Sequence, residues 1–175
     1  AAQGDFGTQE GGGRVGPAVT ERIVPSLELA LLTLLISLPA AALLAVRSVR
    51  RGKRVFSAVV GQVSTVGFVI PQFWLGILLV ILFAVQLGWL PASGYEPFRE
   101  LPMEHVKRLL MPLLTLVIPT TAVFYHFMRQ SLRESLQTQY IRTARAKGLR
   151  ESSVLYRHAL PNALLPSLTV LGVQF

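Results

Sequence analysis

The chain has 175 residues, a formal charge of +8, 51% apolar residues and no cysteine. The missing cysteine excludes a disulfide framework and a cysteine metal site. The apolar share is near a soluble average, so its arrangement in blocks, rather than its total, sets the class.

Residues 1–17 hold six of the fourteen glycines and no apolar stretch of the kind a signal peptide needs. With the polar residues up to 25 they read as a Gly-rich loop. Residues 26–46 carry one charge, Glu28, near their start. At 1.5 Å per residue this run covers roughly 30 Å, the hydrocarbon thickness of a bilayer, and predicts a first span. Pro39 is expected to kink it, and Glu28 to lie at the interface near the helix N-terminus.

The segment RSVRRGKR at 47–54 holds five cations and no acid. A nucleic-acid patch is the rival reading, but no aromatic side chain is present for base stacking. Between two apolar blocks, the excess of Lys and Arg on inner-face loops accounts for it more simply. Residues 56–88 are almost uncharged, and the second span is expected at 67–87. Gly61, Gly67 and Gly76 would permit close helix contact. Gln72, just after Pro71, is a candidate for the path of a polar solute; an interhelical hydrogen bond is the alternative.

Residues 89–110 read as a loop, with three acids balancing three cations and with Trp89 and Tyr95 suited to a membrane–water boundary. That balance fits the outer face. His105 has no second ligand at a useful spacing, so no metal role is assigned. Residues 111–128 form an 18-residue apolar run with Pro112 and Pro119, a third span. His126 is expected at its inner end. Residues 129–157 contain seven basic and two acidic residues, which places this loop on the inner face. The chain then enters another apolar run, at 162–175, shorter than the roughly 20 residues that a span requires. It is therefore expected to be a fragment, open at both ends. The fold class is an all-α membrane protein: a polytopic transmembrane helix bundle with a two-helix loop on the cytoplasmic side.

Within that loop, residues 139–147 are mostly good helix formers. Ile141, Ala144 and Gly148 fall at i, i+3 and i+7 on one narrow face. Gly148 is placed to close the helix in a left-handed turn. A second helix starts near Ser152, with Val154, Leu155, His158 and Ala159 on one side, and Pro161 is expected to force a new start. No phosphate-binding Gly-x-x-x-x-Gly-Lys-Ser/Thr, no Gly-x-Ser-x-Gly and no His-Glu-x-x-His pattern occurs, so the chain is not read as an enzyme, and no cofactor is expected.

The stretch TARAKGLRESSVLYRHALPNALLP resembles the cytoplasmic signature loop of bacterial ABC-importer permeases, in its dipeptide, oligopeptide and nickel branch. Gly148 supplies the signature glycine, and nine residues later come His158, Ala159, Leu160 and Pro161. The signature's acidic residue is absent: Arg142, Thr143 and Ala144 stand at its first three positions. GDFGT at 4–8, IPQFWLG at 70–76 and LGWLPASGY at 87–95 resemble the same branch. The resemblance implies a permease subunit for peptides, nickel or a related solute, in a bacterial or archaeal cell membrane. Its implied partners are a second permease, two cytoplasmic ATP-binding subunits, an extracytoplasmic solute-binding protein and the lipid bilayer, with no nucleic acid. Residues 1–25 would then lie outside, and loops 47–54 and 129–161 inside. ATPase coupling would fall to Tyr140, Ile141, Arg142, Thr143, Ala144, Arg145, Ala146, Lys147 and Gly148, with His158, Leu160 and Pro161 guiding the exit into the next span. In this reading Ile141, Ala144 and Gly148 pack closely against the ATPase. The alternatives are a secondary transporter or channel without an ATPase, and a membrane-anchored structural protein.

Overall fold

The computed structural model describes residues 15–50, 53–98 and 100–164, with side chains in the first helix from Arg22 onward. The GDFGT stretch and the expected span beyond residue 164 lie outside the described residues. Among the described residues, six helical segments follow in chain order: α1 (Val15–Val49), α2 (Arg54–Val69), α3 (Gln72–Leu79, widening into a π-helical stretch Val80–Gln86), α4 (Pro102–Ser135), α5 (Gln139–Ala146) and α6 (Glu151–Ser153, widening at Val154–Ala159). No strand occurs among the described residues.

Two helical stretches, Arg22–Val49 and Pro102–Ser135, are long and apolar enough to cross a membrane. Both outrun the expected spans. Residues 15–25 are helical rather than loop, because Pro25 sits inside α1 without ending it. Residues 102–110 also belong to α4, which starts with Pro102 in its first turn, where a missing N–H costs nothing. At the other end α4 runs on to Ser135, so residues 129–135 extend the span and the loop proper begins at Leu136.

The α1–α4 pair forms the most extensive helix contact and the heart of the core. Its geometry is written in residue size. Thr33, Ser37, Ala41 and Ala45 recur every four residues on α1, all fully buried. Large side chains of α4 (Phe124, Tyr125, Met128 and Leu132) fill the same core. Small residues on one helix let the other approach closely, and between helices in lipid this packing replaces the hydrophobic drive that water would supply. Polar atoms tie the seam: the Ser37 hydroxyl donates to the Val117 carbonyl at 3.4 Å, and Ser48 and Tyr125 share a hydrogen bond at 3.1 Å.

The second expected span, 67–87, is not one rod. α2 ends at Val69, Ile70 and Pro71 take extended ψ values of 124° and 132°, and α3 leaves at 99° to α2. Pro71 has no N–H for the Gly67 carbonyl and biases Ile70 away from helix, so the break falls where these two effects coincide. Both arms lean on α4 through glycine: a Cβ at Gly67 would lie 3.5 Å from the Ala122 Cβ and 3.6 Å from Ile118 Cγ2, and one at Gly76 would lie 3.6 Å from Thr115 Cγ2. Gly61 faces Arg129, whose guanidinium donates to Ser57 Oγ at 2.7 Å and lies over the Tyr125 ring.

Candidate functional site

The basic elbow is built from the end of α4 outward. Ser135 closes α4, residues 136–138 turn, and Thr138 takes an extended conformation ahead of α5. Tyr140 at the start of α5 is a junction: its hydroxyl hydrogen-bonds with Ser135 Oγ at 2.7 Å and accepts from Asn162 Nδ2 at 2.9 Å. One phenol thus links α4, α5 and the helix on the far side of the loop.

α5 ends as the glycine position demands. Gly148 has φ of 77°, a region that L side chains rarely occupy. Its N–H donates to the Arg145 carbonyl at 2.9 Å, and the Leu149 N–H reaches back to the Ala144 carbonyl at 3.3 Å. This is the Schellman pairing, which satisfies carbonyls that the helix end would otherwise leave open. Arg145 then spans the turn and holds Glu151 through two hydrogen bonds, Nη2 to Oε1 at 2.6 Å and Nε to Oε2 at 3.2 Å. The fork geometry fixes the angle between α5 and α6.

The small-residue face points inward. Ile141 is fully buried and Ala144 nearly so, and both belong to the same core cluster as Ala41, Ala45, Phe124 and Met128. Val154, Leu155, Ala159 and Ala163 are buried from the other side of the elbow, with His158 half-buried. The expectation that Ile141 and Ala144 pack against a partner therefore needs correcting: they root the elbow in the chain's own spans. The outward face is a different set, Arg142, Thr143, Ala146, Lys147, Gly148 and Leu149, all exposed. The periodicity picked out Ile141 and Ala144 as a covered pair but not Gly148, which is exposed, and an apolar stripe states that it is covered but not by what.

Pro161 is also placed differently from expectation. The helix runs on through 160–164, with Pro161 exposed and Leu160 half-buried. The preceding turn is widened, with the Leu160 N–H donating to the Leu155 carbonyl. A wider turn relieves the clash between a proline ring and the carbonyl four residues back, so the proline is carried without a break. Gln72 is exposed at the first turn of α3, directly after the 99° bend, and lies far in sequence from the elbow on a separate pair of arms.

Helices long enough to cross a membrane, a small-residue seam and a basic elbow packed onto that seam define a membrane-embedded helical protein. Residues 23–175 match the family described as binding-protein-dependent transport system inner membrane component, and the chain belongs to that family. It is 38% identical over 161 residues to a Brucella abortus protein provisionally named a peptide transport system permease protein, covering 92% of this chain and 51% of that one. It is 36% identical over 178 residues to the oligopeptide transport system permease protein AppB of Bacillus subtilis, covering 98% of this chain and 56% of AppB. With the glutathione transport system permease protein GsiC of Escherichia coli it shares 35% identity over 180 residues, 100% of this chain and 55% of GsiC. The chain thus spans about half the length of the curated relatives it matches.

Proposed function

We propose that this chain is the pathway-forming and motor-coupled part of a permease subunit in an ATP-driven importer for peptides or a related small solute. A second permease completes the path, two ATP-binding subunits dock on the inner face, and an extracytoplasmic binding protein delivers the solute. ATP hydrolysis belongs to the separate subunits. Loops 47–54 and 129–161 lie on the cytoplasmic side because they hold the excess of Lys and Arg.

The observation that carries the reading is the two-sided elbow. Its inner face is continuous with the α1–α4 core, and its outer face presents Arg142, Lys147 and Leu149. A body gripped on one side by the spans and on the other by a motor transmits displacement rather than absorbing it. The exposed cations would steer and register an acidic groove of the ATPase. Tyr140 and Arg145 hold the elbow's shape, while His158, Leu160 and Pro161 set the exit of the next helix. At the bend, non-helical backbone at membrane depth is tolerated where it is buried in protein or lines a water-filled path. Exposed Gln72 beside that backbone supports its place on the path.

The test is Gly148→Arg in the complete transporter. Solute-coupled ATP hydrolysis should be abolished with membrane insertion intact; normal uptake would count against docking at this turn.

A further inference from the structure

On the face opposite the elbow, a cavity of about 410 Å³ lies between α3, α4 and the turn at 91–94. It falls within the roughly 300–1,000 Å³ range of small-molecule pockets. Arg108, Met111, Pro112, Thr115 and Leu116 line it from one face of α4, and Gly76 lines it from α3. The wall is mostly apolar, and besides Ser93 two polar side chains line it. One is Thr115, whose hydroxyl donates to the Met111 carbonyl at 2.8 Å and keeps its lone pairs for an incoming donor.

The other is Arg108, and its surroundings are built for it. The guanidinium lies across Gly94, where a Cβ would collide with Nη1 and where φ is 104°. Nη1 donates to the Ser93 carbonyl at 2.9 Å. The Glu96 carboxylate reaches Nη2 only at 3.8 Å, the far limit of an ion pair, and Glu104, one turn earlier on α4, feels the Arg108 charge more weakly than that of its own partner Lys107. Nε is buried and has no partner among the described residues. An arginine that lines the cavity, with one hydrogen bond from its Nη groups and only a long ion pair, is positioned to present its remaining Nη donors to an anion.

The geometry points to this cavity as a subsite for the free carboxylate of a short peptide, held by Arg108, with an N–H of the same peptide directed to Thr115. Seven residues of helix separate the two, about 10 Å along the axis. An extended chain of three residues covers about 10 Å. The pocket lies on the face that the charge balance of residues 89–110 assigns to the outside, where solute would be handed over. The inference rests on the peptide-importer reading above and adds which end of the peptide is read.

The experiment uses the full-length permease pair with its ATPases in nanodiscs, without the binding protein, so that selectivity belongs to the permease. Binding of a fluorescent tripeptide with a free carboxylate is compared with that of its C-terminal amide, for wild type, Arg108→Met and Arg108→Lys. Wild type should bind the acid about ten-fold or more tightly than the amide, from a charge-assisted hydrogen bond. Arg108→Met should lose that preference with amide binding unchanged, and Arg108→Lys should keep part of it. Equal weakening of both peptides by Arg108→Met would reduce Arg108 to a pin for the 91–94 turn and overturn the subsite while leaving the importer reading intact. Wild type binding neither peptide, in a complex that hydrolyses ATP, would also overturn the subsite, whereas the importer reading would fall only if the complex with its binding protein added moved no solute.

Discussion

The carboxylate of Glu28 on α1 lies 2.7 Å from Nε2 of His105 on α4, although 77 residues separate them. The imidazole's other nitrogen, Nδ1, lies 2.6 Å from the main-chain oxygen of Glu96, and the Tyr95 hydroxyl donates to the other carboxylate oxygen of Glu28 at 3.1 Å. Tyr95 and Phe98 set their rings edge-on to the imidazole at 5.5 Å. One ring, 3% exposed, therefore joins two long helices and the loop between α3 and α4.

Removing either side of this pair should loosen that end of the bundle. His105→Leu leaves the Glu28 carboxylate, itself only 28% exposed, without its strongest donor. Tyr95 still donates to the carboxylate, so the loss should be about 1.5–3 kcal/mol, the range for one hydrogen bond to a charged group. The double variant with Glu28→Leu should cost less than the sum of the two singles. Thermal unfolding in detergent checks this; additive losses would mean that the two groups are neighbours without coupling.

Gly67 should tolerate Ala and reject Leu. A methyl there meets Ala122 and Ile118 at ordinary contact distance, 3.5–3.6 Å, whereas three further carbons have nowhere to go. Overpacking of this kind costs about 1–3 kcal/mol. Expression and thermal stability of the two variants are the readout, with Gly67→Ala within error of wild type.

Much of this was legible in the chain. Apolar blocks with glycine at 61, 67 and 76 announced spans that meet closely, and all three glycines do face α4. Gly148 announced a left-handed turn because few other residues sit there readily. The Glu28–His105 pair was not legible. A lone acid and a lone histidine have no periodicity, and their meeting is a consequence of how two helices cross. Helix ends were missed for a related reason: Pro25 and Pro161 are tolerated within helices at positions that local rules treat as boundaries, and Pro102 opens α4 inside a stretch whose balanced charges read as loop. The Pro71 break was half legible, since the proline was visible but a 99° turn depends on what the two arms lean against.

Shortening Ile141 should uncouple without unfolding. Its side chain is fully buried in the core cluster that α1, α4 and the Val154–Ala159 stretch share, so Ile141→Ala opens a cavity and costs about 2–5 kcal/mol. The expected result is faster amide exchange over residues 139–146 and ATP hydrolysis that no longer responds to solute, with the spans still protected. Unchanged exchange there would show that the elbow is held by something other than this root.

Breaking the Arg145–Glu151 fork should have a smaller effect of the same sign. Both partners are partly exposed, at 33% and 43%, so the pair contributes no more than about 1 kcal/mol. Arg145→Gln should lower the coupling ratio of solute moved to ATP spent while leaving binding of the ATPase near wild type.

The most direct measurement places a single cysteine at Lys147, in a chain that has no cysteine of its own, and asks which subunit it cross-links in assembled native vesicles. Lys147 caps the C-terminal end of α5, exposed and beside the Gly148 turn. The account predicts a cross-link to the ATP-binding subunit. Absence of that product, with the same cysteine modified from the outer surface by a membrane-impermeant thiol reagent, would contradict it.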